Sequence, residues 1–232
     1  MQKFLVTATI LALSFSGGAW SSPINLVSNG NFDAGNIQFT SDYAFSPSVN
    51  STGGQYTIRS NPFPWNSNFV SIGDHTSGNG LMMVANGSPV SGAVVWKSQS
   101  IGVTAATNYF FEAFVNNVCC QGFSSGPGSE SILEFSLSQD GGAPVSLATI
   151  TTNLALAGTW EGLSTLYLAS NAGTVELSLI NRNTNLGGND FAIDDVYFGI
   201  ESTVNPVPVP PTIWLLGSGL IGLMGMRRKL TS

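Results

Sequence analysis

The chain has 232 residues, enough for one medium-sized domain with additional segments or for two small domains. Only 9% of the residues are charged, and the 27 glycines and 11 prolines argue against a helical bundle. Residues 4–226 contain three basic and all 13 acidic residues, so the net charge of −10 in this part excludes nucleic-acid binding by repelling phosphate backbones.

The first 21 residues have the pattern of a secretory signal peptide. Lys3 supplies a positive start, residues 4–13 are apolar apart from two threonines, and Ala19 and Ser21 are the small residues expected before a signal-peptidase cut. An N-terminal membrane anchor is the alternative, but the apolar stretch is too short to cross about 30 Å of hydrocarbon. We therefore predict cleavage after Ser21 and export of the mature chain.

Residues 22–203 contain short segments in which apolar and polar residues alternate, as in strands with one face against a core. These segments are residues 94–101, 109–115, 132–138, 175–179 and 191–198. Stretches rich in Gly, Asn, Ser and Pro separate them, and no segment has the periodicity of an amphipathic helix. The pattern predicts an all-β fold, a single antiparallel two-sheet sandwich.

Five residues could together bind carbohydrate, because sugar rings are bound by exposed aromatic side chains with amide and acid groups nearby. Trp65 and Phe63 lie in a proline-rich loop. Glu112, Phe114 and Asn116 share the outward face of the strand predicted around residues 109–115. We expect all five to be exposed and to bind ligand. The alternatives are a structural surface or adhesion protein that binds no small ligand and, less favoured, a glycan-active enzyme.

The sequence gives little support for hydrolytic chemistry. Glu112 and Glu134 could lie on neighbouring strands of one outer face, but nothing marks either as the buried acid that a glycosidase needs. The single histidine, His75, lies in a loop-like stretch, and the chain has no Gly-x-Ser-x-Gly turn to present a catalytic serine. We therefore predict that the protein is not an enzyme and has no catalytic residues.

The two cysteines, Cys119 and Cys120, are adjacent. An oxidising compartment favours pairing, yet neighbouring Cα atoms across a trans peptide lie about 3.8 Å apart, below the usual disulfide range. A vicinal disulfide, two free thiols and a bridge between molecules all remain open.

Residues 204–232 have the pattern of a second targeting signal. A proline-rich spacer is followed by the apolar residues 213–226 and then by Arg227, Arg228 and Lys229. This apolar segment is marginal against the ~20 residues of a spanning helix. The basic cluster predicts that the end of the chain stays in the cytoplasm and that everything upstream lies outside.

The same arrangement resembles the PEP-CTERM sorting signal of Gram-negative bacteria. The residues that carry the resemblance are Pro208, Pro210, Trp214, Gly217, Gly219, Arg227 and Arg228. This chain has Pro208-Val209-Pro210 where the family has Pro-Glu-Pro. The resemblance implies a short hydrophobic helix that holds the protein transiently at the inner membrane through residues 212–226. It also implies processing by an exosortase-type enzyme and delivery to the cell surface or extracellular matrix.

Two further segments resemble the first and last strands of galactose-binding-like jelly rolls, which include several carbohydrate-binding module families. They are residues 25–33, Asn-Leu-Val-Ser-Asn-Gly-Asn-Phe-Asp, and residues 188–198, Gly-Asn-Asp-Phe-Ala-Ile-Asp-Asp-Val-Tyr-Phe. The resemblance implies a jelly-roll sandwich over residues 22–203 and an exported protein that binds carbohydrate such as exopolysaccharide. Folds of this kind also serve as adhesins and enzyme appendages.

In that group a structural calcium ion often joins the first strand to the last. The matching positions are Gly30, Asp33, Asp74, Asp194 and Asp195. Carboxylate and carbonyl oxygens are the ligands that Ca²⁺ prefers, and two adjacent acids in a hydrophobic strand are costly without a cation. The alternative is that one acid faces solvent while the other accepts backbone hydrogen bonds. We expect the ion to stabilise the fold rather than to catalyse.

Overall fold

The computed structural model describes residues 22–50, 52–120, 126 and 128–204, and these form a sandwich of two β-sheets. The predicted signal peptide (1–21) and residues 205–232 of the predicted sorting signal lie outside the described residues. Within the described part of the chain, no helix is long and apolar enough to cross a membrane. One turn of 3₁₀ helix, Leu154–Leu156, is the only helical element among the described residues.

Twelve strands build the two sheets of the described chain. In chain order they are β1 (Phe39–Thr40), β2 (Ala44–Phe45), β3 (Gln55–Arg59), β4 (Met82–Asn86), β5 (Val94–Ser98), β6 (Ile101–Val103), β7 (Thr107–Asn117), β8 (Ile132–Gln139), β9 (Val145–Thr151), β10 (Trp160–Ala169), β11 (Gly173–Asn181) and β12 (Phe191–Gly199). The first sheet has the order β1-β5-β11-β8-β9, with β6 also paired to β11. The second has the order β10-β7-β12-β4-β3-β2. Every pairing is antiparallel except that of β2 with β3.

The all-β jelly-roll sandwich predicted from the sequence is confirmed, and four of the five predicted strand segments each lie within one strand. The segment 94–101 is divided between β5 and β6, which pair with different parts of β11. Residues 99–100 leave the ladder between them. Glu112 and Glu134 do not lie on neighbouring strands, because β7 belongs to the second sheet and β8 to the first.

Residues 25–33 form turns and not the expected first strand. Asn29 and Phe32 have φ angles of 55° and 56°, which an extended strand does not allow. The segment nevertheless runs beside β12, because the Leu26 N–H donates to the Phe198 carbonyl at 2.8 Å. Gly30 is required by this close approach, since a Cβ there would lie 2.0 Å from the carbonyl oxygen of Val196.

The main core lies between the two sheets, where alternate residues of the central strands meet. Phe111 of β7 and Phe135 of β8 are fully buried, and their ring centroids are 4.9 Å apart across the interface between sheets. Each such side chain contributes about 1.5–3 kcal/mol of hydrophobic stabilisation. Alternation in the sequence therefore identified the faces that hold the sandwich together.

A second apolar cluster covers part of the outer face of the second sheet. We call it the outer-face cluster; its buried members are Trp65, Phe69, Met82, Val84, Val118 and Ala192. Trp65 and Phe69 come from the loop between β3 and β4, and the other members lie on or beside the sheet. Met82 and Val84 therefore face outward from β4 and are still fully buried. The loop converts a sheet face that would otherwise meet water into a second core.

Cys119 and Cys120 form a disulfide with each other in the structure. Phe69 and Cys119 face each other in an isolated antiparallel bridge, which places the disulfide beside the outer-face cluster.

Candidate functional site

A groove of about 470 Å³ lies on the outer face of the second sheet, beside the outer-face cluster. The turns at 25–31, the β3–β4 loop, β7, β12 and the segment after β12 all contribute to it. The residues that line the groove are Asn25, Val27, Asn29, Gly30, Asn31, His75, Phe114, Asp195, Tyr197 and Thr203. It combines aromatic rings with amide, carboxylate and hydroxyl groups.

Two stacked rings form the aromatic part of the groove. The rings of His75 and Phe114 are 3.5 Å apart between centroids and only 14° from parallel. Trp160 meets His75 edge-on, with centroids 5.8 Å apart and an interplanar angle of 73°. Phe114 points outward because β7 directs its odd-numbered neighbours, Ala113 and Val115, into the main core. The arrangement offers a flat surface of the kind on which the C–H face of a sugar can pack.

Asp195 fixes the orientation of the His75 ring. Its Oδ2 lies 2.6 Å from Nδ1 of His75, and its Oδ1 accepts a hydrogen bond from the Thr76 hydroxyl at 2.6 Å. An ionised carboxylate can only accept hydrogen bonds, so Nδ1 carries the proton in this pair. His75 and Asp195 keep 29% and 28% of their side chains exposed, so both groups can still meet a ligand.

A bulge in β12 explains how two adjacent acids fit in a hydrophobic strand. The register with β7 shifts between Asp194 and Tyr197, and Asp195 has a φ of 47°. The extra residue of the bulge lets Ile193 and Val196 both enter the main core. Asp194 and Asp195 are therefore both directed away from the core, toward the β3–β4 loop.

Three of the five residues expected to contact carbohydrate are buried, so their expected exposure was wrong. Trp65 is 1% exposed and donates from Nε1 to the carbonyl of Ser46 at 2.9 Å, because its loop folds back over the sheet. Glu112 and Asn116 are fully buried, since later parts of the chain cover this face of β7. Phe63 is 40% exposed but does not line the groove. Phe114 is the one candidate that does.

Two of the predicted calcium ligands converge in the structure. A Cβ on Gly80 would lie 2.8 Å from Oδ1 of Asp33 and 3.0 Å from Oδ2 of Asp74. Asp33 accepts a hydrogen bond from the Leu81 N–H at 3.1 Å, and Asp74 accepts from the N–H groups of Ser77 and Gly80 at 2.8 and 2.6 Å. No ion pair within the described chain involves either carboxylate. Burial raises the pKa of Asp74, but these hydrogen bonds outweigh it and leave that pKa below its ordinary value.

The other predicted calcium ligands make hydrogen bonds elsewhere in the fold. The Gly30 carbonyl accepts from the Val196 N–H at 2.9 Å, and Asp194 accepts from the His75 N–H at 2.8 Å. Burial, and then the charge of Asp195, raise the pKa of Asp194 to about 7. Within the described residues, no group of three or more His, Cys, Asp and Glu side chains is placed to hold one metal ion. Asp33 and Asp74 thus offer part of a ligand set, and calcium stays a prediction.

The groove contains residues that the sequence did not single out. His75 was considered only as a triad member, and Asn31, Tyr197 and Thr203 were not considered as ligand contacts. One signal was available, since His75 is the only histidine and lies in a stretch with Asp74 and several small polar residues. Its pairing with Asp195, 120 positions along the chain, depends on the tertiary fold.

No protein-family model matches the chain, and no curated protein matches it. Solved structures do share its fold. A Stig cyclase, Fisc from Fischerella sp. TAU, in complex with (3Z)-3-(1-methyl-2-pyrrolidinylidene)-3H-indole, aligns with a TM-score of 0.52 and 14% identity. The alignment covers 78% of this chain and 98% of the cyclase. At this identity the likeness shows the β-sandwich fold.

Carbohydrate-binding modules and glycosidases occur among the other similar structures. TmCBM61, in complex with β-1,4-galactotriose, aligns with a TM-score of 0.45 and 14% identity over 77% of this chain and 99% of the module. The arabinose-bound α-L-arabinofuranosidase MgGH51 aligns with a TM-score of 0.48 and 11% identity over 75% of this chain. The present chain spans only 26% of that enzyme.

Proposed function

We propose that this is an exported, non-enzymatic protein that binds carbohydrate, with the sugar seated in the groove over His75 and Phe114. One observation carries the proposal: a parallel aromatic stack lies among groups that can bond sugar hydroxyls. Sugar rings pair an apolar face with a rim of hydroxyls, so a binding site needs both features. Known sugar binders of this general fold, such as the module crystallised with galactotriose, make polysaccharide the first ligand class to test.

Within this proposal each group has a defined part. One outer face of the stacked pair meets the apolar face of a sugar, and the second ring supports the first from behind. The carboxylate of Asp195 and the side chain of Asn31 meet hydroxyls, and Thr203 contributes a hydroxyl from the segment after β12. The Nε2 atom of His75 points away from the contact with Asp195 and can meet a sugar hydroxyl, as an acceptor in the neutral ring or as a donor in the imidazolium. No step in this scheme makes or breaks a bond.

Affinity electrophoresis against soluble polysaccharides, followed by calorimetry with the best ligand, tests the groove. Phe114→Ala and His75→Ala are each expected to weaken binding by tenfold or more, because each removes stacking worth about 0.5–1.5 kcal/mol together with apolar contact area. Phe63→Ala removes an exposed aromatic outside the groove and should leave the affinity unchanged. Melting temperatures of the variants control for loss of folding.

The same experiment separates the alternatives. Loss of binding in Phe63→Ala but not in Phe114→Ala would move the site to the proline-rich loop. Absence of binding to every polysaccharide would favour the structural surface protein that needs no small ligand.

We further propose that the predicted targeting segments export the domain and that an exosortase-type enzyme processes its C-terminus at the inner membrane. Replacing Arg227, Arg228 and Lys229 by neutral residues should impair membrane retention and processing, since the positive cluster fixes the orientation of the apolar segment. Cell fractionation and the mass of the mature protein measure both effects in a host with the sorting enzyme. Unchanged fractionation and mass would contradict the sorting proposal.

A further inference from the structure

After β12 the chain folds back over the outer face of the second sheet, and we call residues 200–204 the C-terminal strap. Glu112 of β7 holds this strap through its carboxylate. Oε2 accepts hydrogen bonds from the Thr203 N–H at 2.7 Å, the Thr203 hydroxyl at 2.5 Å and the Val204 N–H at 3.2 Å. Oε1 accepts from the Ser202 hydroxyl at 2.5 Å and from the Ser164 hydroxyl of β10 at 2.6 Å.

These hydrogen bonds explain how the carboxylate of Glu112 can be buried against the sheet in its ionised form. Glu112 is fully buried, and no ion pair of the described chain involves it. Burial raises its pKa, but the hydrogen bonds from Ser164, Ser202 and Thr203 outweigh burial and bring the pKa below its ordinary value. An ionised carboxylate without a cation needs several donors to offset its lost hydration, and most of these donors come from the strap.

The strap also forms part of the groove. Thr203 lines the groove together with His75 and Phe114. Val204 and Phe114 both approach Gly162, where an added Cβ would lie 3.1 Å from Cγ1 of Val204 and 2.9 Å from Cε1 of Phe114. Two of the strap residues that bond Glu112, Thr203 and Val204, thus also lie at the groove or near Phe114.

We propose that Glu112 is a positioning residue that holds the C-terminal strap on the second sheet, so that the strap forms one wall of the groove and shields His75. When these hydrogen bonds to Glu112 are lost, the strap detaches and the groove opens. Glu112 itself meets no ligand, which replaces the direct role in binding expected from the sequence. The geometry of the strap stands independently of the ligand; its effect on binding rests on the proposed function.

Two serines provide a matched pair of variants for the test. Ser202→Ala and Ser164→Ala each remove one hydroxyl donor to the same oxygen of Glu112. Only Ser202 belongs to the strap, whereas Ser164 is an exposed residue of β10 that stays in the sheet in either state. A difference between the two variants therefore reports on the strap and not on the general loss of a hydrogen bond.

Hydrogen exchange in the purified full chain measures how often the strap detaches from Glu112, because the amides of Thr203 and Val204 both donate to its carboxylate. Ser202→Ala should speed exchange at these two amides by about tenfold or more, since a hydrogen bond to a charged group is lost. Ser164→Ala should leave their exchange within about twofold of the wild type. Equal acceleration in both variants, or in neither, would overturn the proposal.

Variants of Glu112 test whether the carboxylate shape or merely the packing is needed. Glu112→Gln can keep its partners, because the amide oxygen can face the two N–H groups while the amide nitrogen donates to the serine hydroxyls. Glu112→Ala removes every contact. We expect fast exchange of the strap amides in Glu112→Ala and substantial rescue in Glu112→Gln. Equal exchange in the two variants would contradict a positioning role.

Reaction of His75 with diethylpyrocarbonate measures opening of the groove without any sugar, since the chain has a single histidine. The reaction rate should rise severalfold in Ser202→Ala and remain unchanged in Ser164→Ala. A strap that exchanges faster while the reactivity of His75 stays constant would show that the strap does not shield the groove. If no polysaccharide binds the wild type, the proposed function fails, whereas these two measurements still decide the strap.

Discussion

Two buried acids of this protein are stabilised to very different degrees by their surroundings. Glu112 accepts five hydrogen bonds, and its pKa lies below the ordinary value even though burial raises it. Asp190 is 5% exposed, and its carboxylate accepts a hydrogen bond from the Gly87 N–H at 3.0 Å. Burial raises the pKa of Asp190 to about 7, and the hydrogen bond from Gly87 lowers it only in part. Glu112 therefore remains ionised at neutral pH, whereas Asp190 opposes folding there.

Asp190→Asn should stabilise the protein at pH 8 by about 2–4 kcal/mol. The pKa of Asp190 is about 7 in the folded chain and 3.8 for the ordinary group, so its cost to stability develops as the pH rises from about 4 to 7. At pH 4 the side chain is protonated in the folded state, and the variant should match the wild type closely. Chemical denaturation at both pH values measures the difference.

Glu201→Gln, which changes an exposed acid, is the control for the change in net charge. A similar stabilisation by both variants would assign the effect to net charge, and an effect of Asp190→Asn independent of pH would contradict the role of its ionisation.

At the scale of strands and loops, alternation predicted those elements that have one face on the core. Thr107–Asn117 and Ile132–Gln139 are of this kind. Met82–Asn86 was not predicted because its first four residues are all buried, two of them in the outer-face cluster, and so the alternation is lost. The site was predicted less well. Phe114 was identified from strand parity, but the cover over Glu112 and Trp65 comes from distant segments that no local pattern reveals.

The β3–β4 loop makes a testable contribution to stability through Trp65. Trp65→Ala should lower the free energy of unfolding by about 3–5 kcal/mol, because it removes a buried side chain from the outer-face cluster and the hydrogen bond to Ser46. Phe63→Ala, two residues away and 40% exposed, should change it by about 0.5 kcal/mol or less.

Urea denaturation of the two variants makes this comparison. Similar small losses in both would mean that the loop does not pack stably on the sheet, and the groove that it borders would then lack a fixed wall.

At the scale of the whole molecule, the net charge is strongly negative, since residues 4–226 contain three basic and 13 acidic residues. Near the groove, Asp33 and Asp74 approach the same point at Gly80, while Asp194 and Asp195 are adjacent in β12. A divalent cation at Asp33 and Asp74 would relieve repulsion between the turn at 29–35 and the β3–β4 loop. The ion would thereby connect two segments that contribute residues to the lining of the groove.

We predict that calcium raises the melting temperature and that chelator lowers it. An ion that binds only the folded state adds about 2.7 kcal/mol at 100 times its dissociation constant. For a domain of this size, that corresponds to about 5–11 °C. Mg²⁺ should not replace Ca²⁺, because it demands a smaller octahedral site.

Asp33→Asn should abolish the response, whereas Glu176→Gln, which changes an acid paired with Lys97 in the first sheet, should retain it. Screening of the −10 charge by any salt would act equally on both variants and on both cations. A melting temperature that does not respond to chelator would leave Asp33 and Asp74 as acceptors of hydrogen bonds from backbone and side-chain donors, without a metal.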